Sequence, residues 1–262
     1  MLHYNEFHIQ QFNQPFWAFA IHDGHDIHPN LLPFQRLDDQ ERLREEDPFT
    51  QRIADLPMNQ FIMKSSRFQL DINRKLDDAI YLRPEQAWGL EVWEESLPSA
   101  YIKNLQDDHQ RIYQTIIDLI QDTINQYGYF VIYDIHSYNA KRLSSSDVLN
   151  ELENPQINLG TGPVHSKWFN LVHTWMDYIS GQQLYEQAID IRENIKFRGG
   201  YLSQLINERF GEFGCVLSIE FRKDFMDEWT GIPDNSRIQA CNELLTNSLT
   251  VLKTYFDDYG KK

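Results

Sequence analysis

Two histidines and a glutamate stand out because each lies towards the carboxyl end of an apolar, strand-like run. They are His22 in the run 16–22, His136 in the run 128–137 and Glu220 in the run 214–222. Parallel strands present their carboxyl ends at one edge of a sheet, so we expect these three side chains to meet there. Taken singly, each has an ordinary explanation, namely a hydrogen-bonded loop histidine or a glutamate in an ion pair.

Together, these three residues indicate a hydrolytic metal site. Two imidazoles and a carboxylate are part of the ligand set of a catalytic zinc, which keeps one position open for water. Zinc lowers the pKa of that water and polarises the scissile carbonyl group. A carboxylate that is not a ligand can take the proton from the water and deliver it to the leaving nitrogen. Such mixed sites also accept Mn, Co or Fe, so zinc is the first choice among several metals.

Spacing alone leaves the third metal ligand open. His25 follows His22 by three residues, a spacing that suits a turn or the first turn of a helix. The acidic trio 45–47 (Glu-Glu-Asp) offers carboxylates instead. The alternative interpretation of this trio is a solvated helix end, because residues 37–47 are dense in charge and predict an exposed helix.

A second group of residues has the chemistry to bind an anion. It consists of Arg67, Asn73 and Arg74, which follow the strand-like run 60–66, and of Arg198, Gly199 and Gly200, which precede a helical segment. An arginine beside an asparagine can hold a carboxylate by paired hydrogen bonds. A Gly-Gly pair lets the backbone approach a ligand closely or makes a tight turn.

Strand-like runs alternate with helical patterns along the chain. Residues 104–126 and 236–256 each place apolar side chains on one face at helical spacing, and Tyr127-Gly128 is expected to end the first helix. This alternation predicts an α/β fold with three α/β/α layers around a mostly parallel mixed sheet. No linker composition divides the chain, so we expect residues 1–262 to form one domain. The segment 139–165, rich in Ser, Asn, Gly and Pro, is predicted to be a long loop.

The composition excludes several classes of function. The chain has 262 residues, with 24 Lys and Arg against 39 Asp and Glu, and its net charge of −15 argues against nucleic acid as the main partner. No apolar run approaches the roughly 20 residues of a membrane span, and residues 1–12 do not resemble a leader. We therefore expect a cytoplasmic protein that does not bind membranes. Two cysteines are too few for a disulfide framework, and the oligomeric state is left open.

Six segments, in order along the chain, resemble motifs of the N-formylglutamate amidohydrolase family, whose relatives include the zinc carboxypeptidases and the acyl-amino-acid deacylases. The segments are residues 20–24 (Ala-Ile-His-Asp-Gly), 71–74 (Asp-Ile-Asn-Arg), 134–137 (Asp-Ile-His-Ser), 158–161 (Asn-Leu-Gly-Thr) and 197–201 (Phe-Arg-Gly-Gly-Tyr), and Glu220 with 226–228 (Met-Asp-Glu). Each segment is short, but six of them in the family's order make the resemblance specific.

This resemblance implies a zinc-exopeptidase fold of the phosphorylase/hydrolase-like type and an enzyme that removes an N-acyl group, such as formyl, from an acidic amino acid. It assigns metal binding to His22 and His136, the general base to Glu220, the substrate's α-carboxylate to Asn73 and Arg74, and the other carboxylate to Arg198 with Gly199 and Gly200. Arg67 is a further candidate for substrate binding. The third ligand that best matches the family is Asp47, with Glu46 and His25 as alternates.

Two other hypotheses remain open at this point. His25 stands where the carboxypeptidases have a metal-binding glutamate, which suggests a metal- or carboxylate-binding relative without turnover. Alternatively, the loop 139–165 and the segment 86–93, which contains Trp88 and Trp93, form a different pocket for a peptide or a larger acyl-amino acid. The segment 86–93 either covers the site or only packs.

Overall fold

A seven-stranded mixed sheet lies at the centre of the computed structural model, which describes residues 3–94 and 96–259. Its strands are β1 (Phe7–Gln10), β2 (Phe16–Ala20), β3 (Asn59–Met63), β4 (Phe130–Tyr138), β5 (Ile157–Gly160), β8 (Ile191–Glu193) and β9 (Gly214–Arg222). A separate two-stranded hairpin consists of β6 (Gln183–Leu184) and β7 (Gln187–Ala188).

The strand order, β1-β3-β2-β4-β9-β5-β8, places four parallel strands in the middle of the sheet. Strands β3, β2, β4 and β9 run in one direction. On either side, β1 pairs antiparallel with β3 and β5 pairs antiparallel with β9, while β8 runs parallel to β5. The carboxyl ends of β2, β4 and β9 are therefore neighbours at one edge, where open α/β sheets place their ligands.

Helices cover both faces of the sheet. They are α1 (Asp39–Glu45), α2 (Thr50–Ile53), α3 (Ser99–Tyr127), α4 (Phe169–Ser180), α5 (Tyr201–Phe210) and α6 (Asn235–Tyr259), with short 3-10 helices at Leu32–Phe34, Pro84–Ala87 and Ser166–Trp168. Val131, Tyr133 and Ile135 of β4 pack in one core with α2, α4 and α6. Phe130 and Ile132, on the opposite face of the same strand, pack with α3 and α5. The predicted three-layer α/β/α architecture is confirmed.

Several element predictions agree closely with the structure. The run 214–222 matches β9, and the helical patterns 104–126 and 236–256 lie within α3 and α6. Gly128 ends α3 with a φ of 80°, a left-handed conformation that glycine adopts without strain. Within the described part of the chain, no helix combines the length and the apolar character needed to cross a bilayer.

Two element predictions need correction. The segment 139–165 is not a loop throughout, because residues 157–160 form β5 and cover the edge of β9. The helix predicted over 37–47 spans only Asp39–Glu45, and its carboxyl end is not exposed: Glu45, Glu46 and Asp47 are all buried. In both cases contacts between residues distant in sequence determine the structure. Neither a four-residue strand nor a set of buried carboxylates gives a periodic apolar pattern in the sequence.

Candidate metal and substrate site

Three buried side chains converge at the carboxyl edge of the sheet. Potential ligand atoms of His22, Asp47 and His136 all lie within 4.8 Å of one another, the one such group of three among residues 3–94 and 96–259. Asp47 Oδ2 is 3.3 Å from His22 Nδ1 and 3.0 Å from His136 Nδ1. The structure therefore brings together the two histidines and the first choice for the third ligand that the sequence suggested.

A second carboxylate lies behind each of these imidazoles. His22 Nε2 is 2.8 Å from Asp71 Oδ1, and His136 Nε2 is 3.0 Å from Asp134 Oδ1. A carboxylate at the outer nitrogen favours a proton there and leaves the lone pair of Nδ1 directed inward, the arrangement found behind metal-binding histidines. Burial opposes charge at His136, but Asp134 and Asp47 raise its pKa well above the usual value.

The charges of the cluster fit a divalent cation. The carboxyl groups of Asp47, Asp71, Asp134 and Glu220 lie in or beside the triad, whereas the buried cations there are Arg67 and Lys223. Burial disfavours the ionised form of Asp47, yet His136 and His22 hold the pKa of Asp47 well below its usual range. His22 Nδ1 is buried and has no hydrogen-bond partner among the described residues. A cation held by the inner nitrogens and Asp47 would satisfy this atom and offset the negative excess.

Asp47 is held next to His22 and His136 because hydrogen bonds fix the turn after α1. The Asp47 amide donates to the His22 carbonyl at 2.9 Å. The Lys223 ammonium, just beyond β9, donates to the carbonyls of Arg44 and Glu46 at 2.7 Å each. A lysine that bonds the last carbonyls of a helix stabilises that helix end. Lys223 was not predicted from the sequence. The one feature that could have indicated it is its position, as a cation directly after a strand that carries a candidate catalytic residue.

The alternate ligands, Glu46 and His25, pair with each other and do not belong to the group formed by His22, Asp47 and His136. Glu46 Oε2 lies 2.5 Å from His25 Nδ1, and Glu46 Oε1 accepts a hydrogen bond from Ser66. Arg42, buried in α1, donates to the His25 carbonyl at 2.7 Å. These contacts give the carboxylate and the imidazole a structural role in holding α1 against the sheet.

Glu220 lies inside β9 and not after it, directly paired with His136 of β4 in the parallel register. Its carboxyl group lines the cavity that contains the triad. Burial raises the pKa of Glu220 to about 8, and the positive charge of His136 partly opposes this shift. A carboxyl group with a pKa near neutrality, next to side chains that can hold a metal ion, is suited to move a proton.

The cavity around the triad has a volume of about 530 Å³ and a basic lining. Its charged lining residues are six cations, Arg67, Arg74, Arg142, Lys196, Arg198 and Lys223, against three acids, Glu45, Asp47 and Glu220. Glu45 is paired with Arg142 at 2.9 Å and with Arg44. A protein whose net charge is −15 thus presents a locally positive pocket, as an anionic substrate requires.

Arg67 connects this cavity to Asp71, the carboxylate behind His22. Its Nη2 lies 2.7 Å from Asp71 Oδ2, and the same oxygen accepts a hydrogen bond from Tyr81. The Arg67 guanidinium lies 4.9 Å from the centre of the Trp88 ring. Burial disfavours the charge of Arg67, but Asp71 raises its pKa well above the usual value. Arg67 is therefore a fixed cation at the cavity wall, and Trp88 lines the same cavity.

Asn73 and Arg74 are held by backbone contacts that leave polar atoms free for a ligand. Asn73 Oδ1 accepts a hydrogen bond from the Leu202 amide at 3.1 Å, at the amino end of α5. Among the described residues, Asn73 Nδ2 has no hydrogen-bond partner. The Arg74 guanidinium is about half exposed, and its nearest acidic partner is Asp71, with 3.9 Å between Arg74 Nε and Asp71 Oδ2.

The segment 198–200 lies between Asn73 and β5 at close range. A Cβ atom on Gly160 of β5 would lie 2.6 Å from the Gly199 nitrogen, and one on Gly200 would collide with the Asn73 side chain. The glycines are thus required for close packing, in addition to lining the cavity. The Arg198 side chain is exposed beside them and makes no hydrogen bond or ion pair within the described part of the chain.

Sequence reasoning also left several lining residues unassigned. Trp88 lines the cavity, whereas Trp93 packs partly buried against the hydrophobic core. Arg142 and Lys196 reach the cavity from loops whose position depends on contacts distant in sequence. The position of Asp134 could be predicted from the sequence. Residues two apart on a strand share a face, so Asp134 lies on the same face of the strand as His136.

Comparisons with known proteins identify relatives of the chain. The sequence profile described as N-formylglutamate amidohydrolase matches residues 15–226. Among solved structures, an N-formylglutamate amidohydrolase from Ralstonia eutropha JMP134 is similar with a TM-score of 0.71 and 15% identity, covering 95% of this chain and 98% of that one. A gene product from Agrobacterium tumefaciens is similar with a TM-score of 0.63 and 13% identity, covering 94% and 96%.

A more distant likeness carries no weight. A metallo-carboxypeptidase from Burkholderia cenocepacia has a TM-score of 0.40 and 12% identity, covering 95% of this chain and 61% of that one. A search of curated protein sequences found no match. At these identities, the solved structures support the fold, and the profile match supports the family.

Proposed function

The chain belongs to the N-formylglutamate amidohydrolase family, and we propose that it is a metal-dependent enzyme that hydrolyses the amide bond of an N-acyl amino acid such as N-formylglutamate. The observation that carries this proposal is the convergence of His22 Nδ1 and His136 Nδ1 on Asp47 Oδ2. This convergence occurs inside a basic cavity that also contains Glu220.

His22, Asp47 and His136 would hold the metal ion, with zinc as the first choice and Mn, Co or Fe as alternatives. When bound, the ion supplies Lewis acidity, which polarises a carbonyl group and lowers the pKa of a water molecule. Asp71 and Asp134 orient the two imidazoles from behind, so that their inner nitrogens face Asp47.

Three side chains would orient the substrate. Asn73 Nδ2 and the Arg74 guanidinium have free donors and would hold the α-carboxylate, since an arginine matches a carboxylate with paired hydrogen bonds. Arg198, on the other side of Gly200, would take the side-chain carboxylate of an acidic amino acid. N-formylglutamate carries both carboxylates, and its charge suits the six cations of the lining.

Glu220 would move the proton in this reaction. It would take a proton from the attacking water and deliver it to the amine nitrogen as the amide bond breaks. Burial raises the pKa of Glu220 to about 8. A divalent cation nearby favours the ionised form, which a base requires.

Arg67 would stabilise the negative charge that develops on the carbonyl oxygen. Its guanidinium lines the cavity, and its buried Nε has no hydrogen-bond partner within the part of the chain that the structure describes. A fixed donor aimed at developing charge lowers the barrier because it does not have to reorganise during the reaction. Asp71 and Tyr81 hold this guanidinium in position.

The proposal is tested by a screen for amine release from N-formyl, N-acetyl and N-succinyl amino acids. Each substrate is incubated with the protein plus added Zn²⁺, and again with a chelator. Release of glutamate from N-formylglutamate that the chelator abolishes would support the proposal. Metal binding without release of any amine would instead identify a binding protein without turnover.

A further inference from the structure

A second cavity adjoins the one that contains the triad. It has a volume of about 540 Å³ and shares part of its wall with the first. The shared residues are Asn73, Arg74, Trp88, Gly199 and Gly200. Asn73 and Arg74, the proposed binding residues for the α-carboxylate, therefore lie where two cavities meet. They do not form the closed end of the first cavity.

The combined space is larger than N-formylglutamate requires. Cavities of roughly 300–1,000 Å³ hold ligands of drug size, and the first cavity alone, at about 530 Å³, lies within that range. N-formylglutamate is a much smaller molecule, so the second cavity is not needed for it. Room beyond Asn73 and Arg74 indicates a substrate that continues past its first amino acid.

The second cavity also has its own unpaired cation. Lys75 lines it next to Arg74, and its exposed side chain makes no hydrogen bond or ion pair with the described residues. The lining also contains two acids, namely Asp78, whose Oδ1 accepts a hydrogen bond from Gln86 Nε2 at 3.0 Å, and the exposed Glu85. Lys75 is thus available for a carboxylate that lies one residue beyond Arg74.

Trp88 stands at the junction with a strained backbone. Its φ is 55°, in the left-handed region that a non-glycine residue rarely adopts, and its side chain is 46% exposed. Strain of this kind persists where the surrounding structure enforces it and is concentrated at ligand sites. The indole forms part of both cavity walls, where it can lie against a chain that crosses from one cavity to the other.

We propose that this site hydrolyses N-acylated dipeptides, with the first residue at Asn73 and Arg74 and the carboxylate of the second residue at Lys75. This inference rests on the proposed amidohydrolase function. The bond between the acyl carbon and the first nitrogen breaks, water supplies the hydroxyl to the acyl carbon and a proton to the nitrogen, and a carboxylic acid and the free dipeptide leave. At the first residue, the α-carboxylate is replaced by an amide carbonyl, which accepts hydrogen bonds from the same donors.

Three substrates test the inference with the metal-loaded full chain: N-formylglutamate, N-formylglutamyl-alanine and the carboxamide of the latter. We expect kcat/KM for N-formylglutamyl-alanine to lie within about tenfold of that for N-formylglutamate. Lys75→Ala should lower kcat/KM for N-formylglutamyl-alanine about fivefold, the size expected for an exposed charge pair, and should affect the carboxamide less. Lys253→Ala, on the exposed face of α6, is the matched control and should change neither value.

The outcomes separate this inference from the proposed function. Turnover of N-formylglutamate without turnover of either dipeptide substrate would contradict the inference alone. Equal effects of Lys75→Ala on the dipeptide acid and its carboxamide would contradict the role of Lys75. Absence of turnover for all three substrates would contradict the proposed function and the inference with it.

Discussion

His136 and Glu220 occupy directly paired positions on the neighbouring parallel strands β4 and β9. This pairing places a proposed metal ligand and a proposed base side by side at the carboxyl edge of the sheet. The separation is set by the strand spacing of the sheet and does not depend on a loop. A rigid support of this kind suits groups that must act together on one substrate.

The first prediction concerns this base. Glu220→Gln should lower kcat by about 10²–10⁴, because the amide side chain cannot accept the proton, while the metal content stays unchanged. Metal content by elemental analysis and glutamate release from N-formylglutamate are measured on the same preparation. Glu208→Gln, at an exposed position of α5, serves as the control. Unchanged turnover of Glu220→Gln would exclude the base role.

The second prediction concerns the carboxylate behind His136. Asp134 is fully buried, and its Oδ1 lies 3.0 Å from His136 Nε2. Asp134→Asn should weaken metal affinity by about 10–100-fold, because the imidazole loses the partner that orients it. Affinity is measured by competition with a chelating dye, with the exposed Asp177→Asn as the control. Equal affinity in Asp134→Asn and the native protein would show that Asp134 does not support the metal site.

The third prediction separates the two proposed carboxylate clamps. Arg198→Ala should raise KM for N-formylglutamate about 10–100-fold through loss of charge-assisted hydrogen bonds. The effect on N-formylglutamine should be small, since that substrate has no side-chain carboxylate. Arg209→Ala, on the exposed face of α5, is the control. A similar rise in KM for both substrates would show that Arg198 does not act through the side-chain carboxylate of the substrate.

The fourth prediction concerns the close packing of β5 against the segment 198–200. A Cβ at residue 160 would meet the Gly199 nitrogen at 2.6 Å, so Gly160→Ala should destabilise the protein by about 1–3 kcal/mol and raise KM. Gly181→Ala is the control, because its nearest neighbour would be at an ordinary 3.4 Å. Urea unfolding and steady-state kinetics together test this, and a Gly160→Ala protein with native values in both would refute it.

The fifth prediction concerns acid stability far from the site. Asp108 of α3 accepts hydrogen bonds from the backbone amides of Tyr4 and Asn5 at 2.7 and 2.9 Å and pairs with Arg111. Burial alone would raise the pKa of Asp108, but these contacts hold this pKa below its usual value. The stabilisation is therefore fully present above the unfolded pKa and is lost as pH falls through the folded value.

Asp108→Asn should accordingly reduce the free energy of unfolding by roughly 2 kcal/mol at pH 7. The difference from the native protein should shrink on acidification below pH ~4, where Asp108 becomes neutral first in the unfolded chain and, at lower pH, in the folded protein. The midpoints of urea unfolding at neutral pH and at acidic pH provide the measurement, and the exposed Asp122→Asn provides the control. A difference that does not change with pH would contradict the assigned role of the charge.

Local sequence patterns predicted much of the fold and the positions of the site's main groups. The apolar runs that became β4 and β9 are long and continuous, and the helical periodicity of α3 extends over many turns. His22, His136 and Glu220 were accessible to prediction because they interrupt or end such runs. Their catalytic roles stay predictions until the experiments above are done.

The features of the fold and of the site that could not be predicted from the sequence depend on contacts between residues far apart in the chain. Lys223 supports the turn before Asp47 from more than a hundred residues away. Strand β5 has only four residues and is defined by its pairing with β9. The pairing of Glu46 with His25 likewise appears only once α1 is placed against the sheet. No local pattern encodes such contacts, so their residues could not be assigned beforehand.

We propose that one metal ion lies between His22, Asp47 and His136 in an active amidohydrolase. Anomalous diffraction at the zinc absorption edge, on crystals of protein with measured N-formylglutamate turnover, tests this claim directly. We expect one anomalous peak per chain, in contact with the Nδ1 atoms of both histidines and with Asp47. A fully active protein with no peak at this position, or with its peak elsewhere, would contradict it.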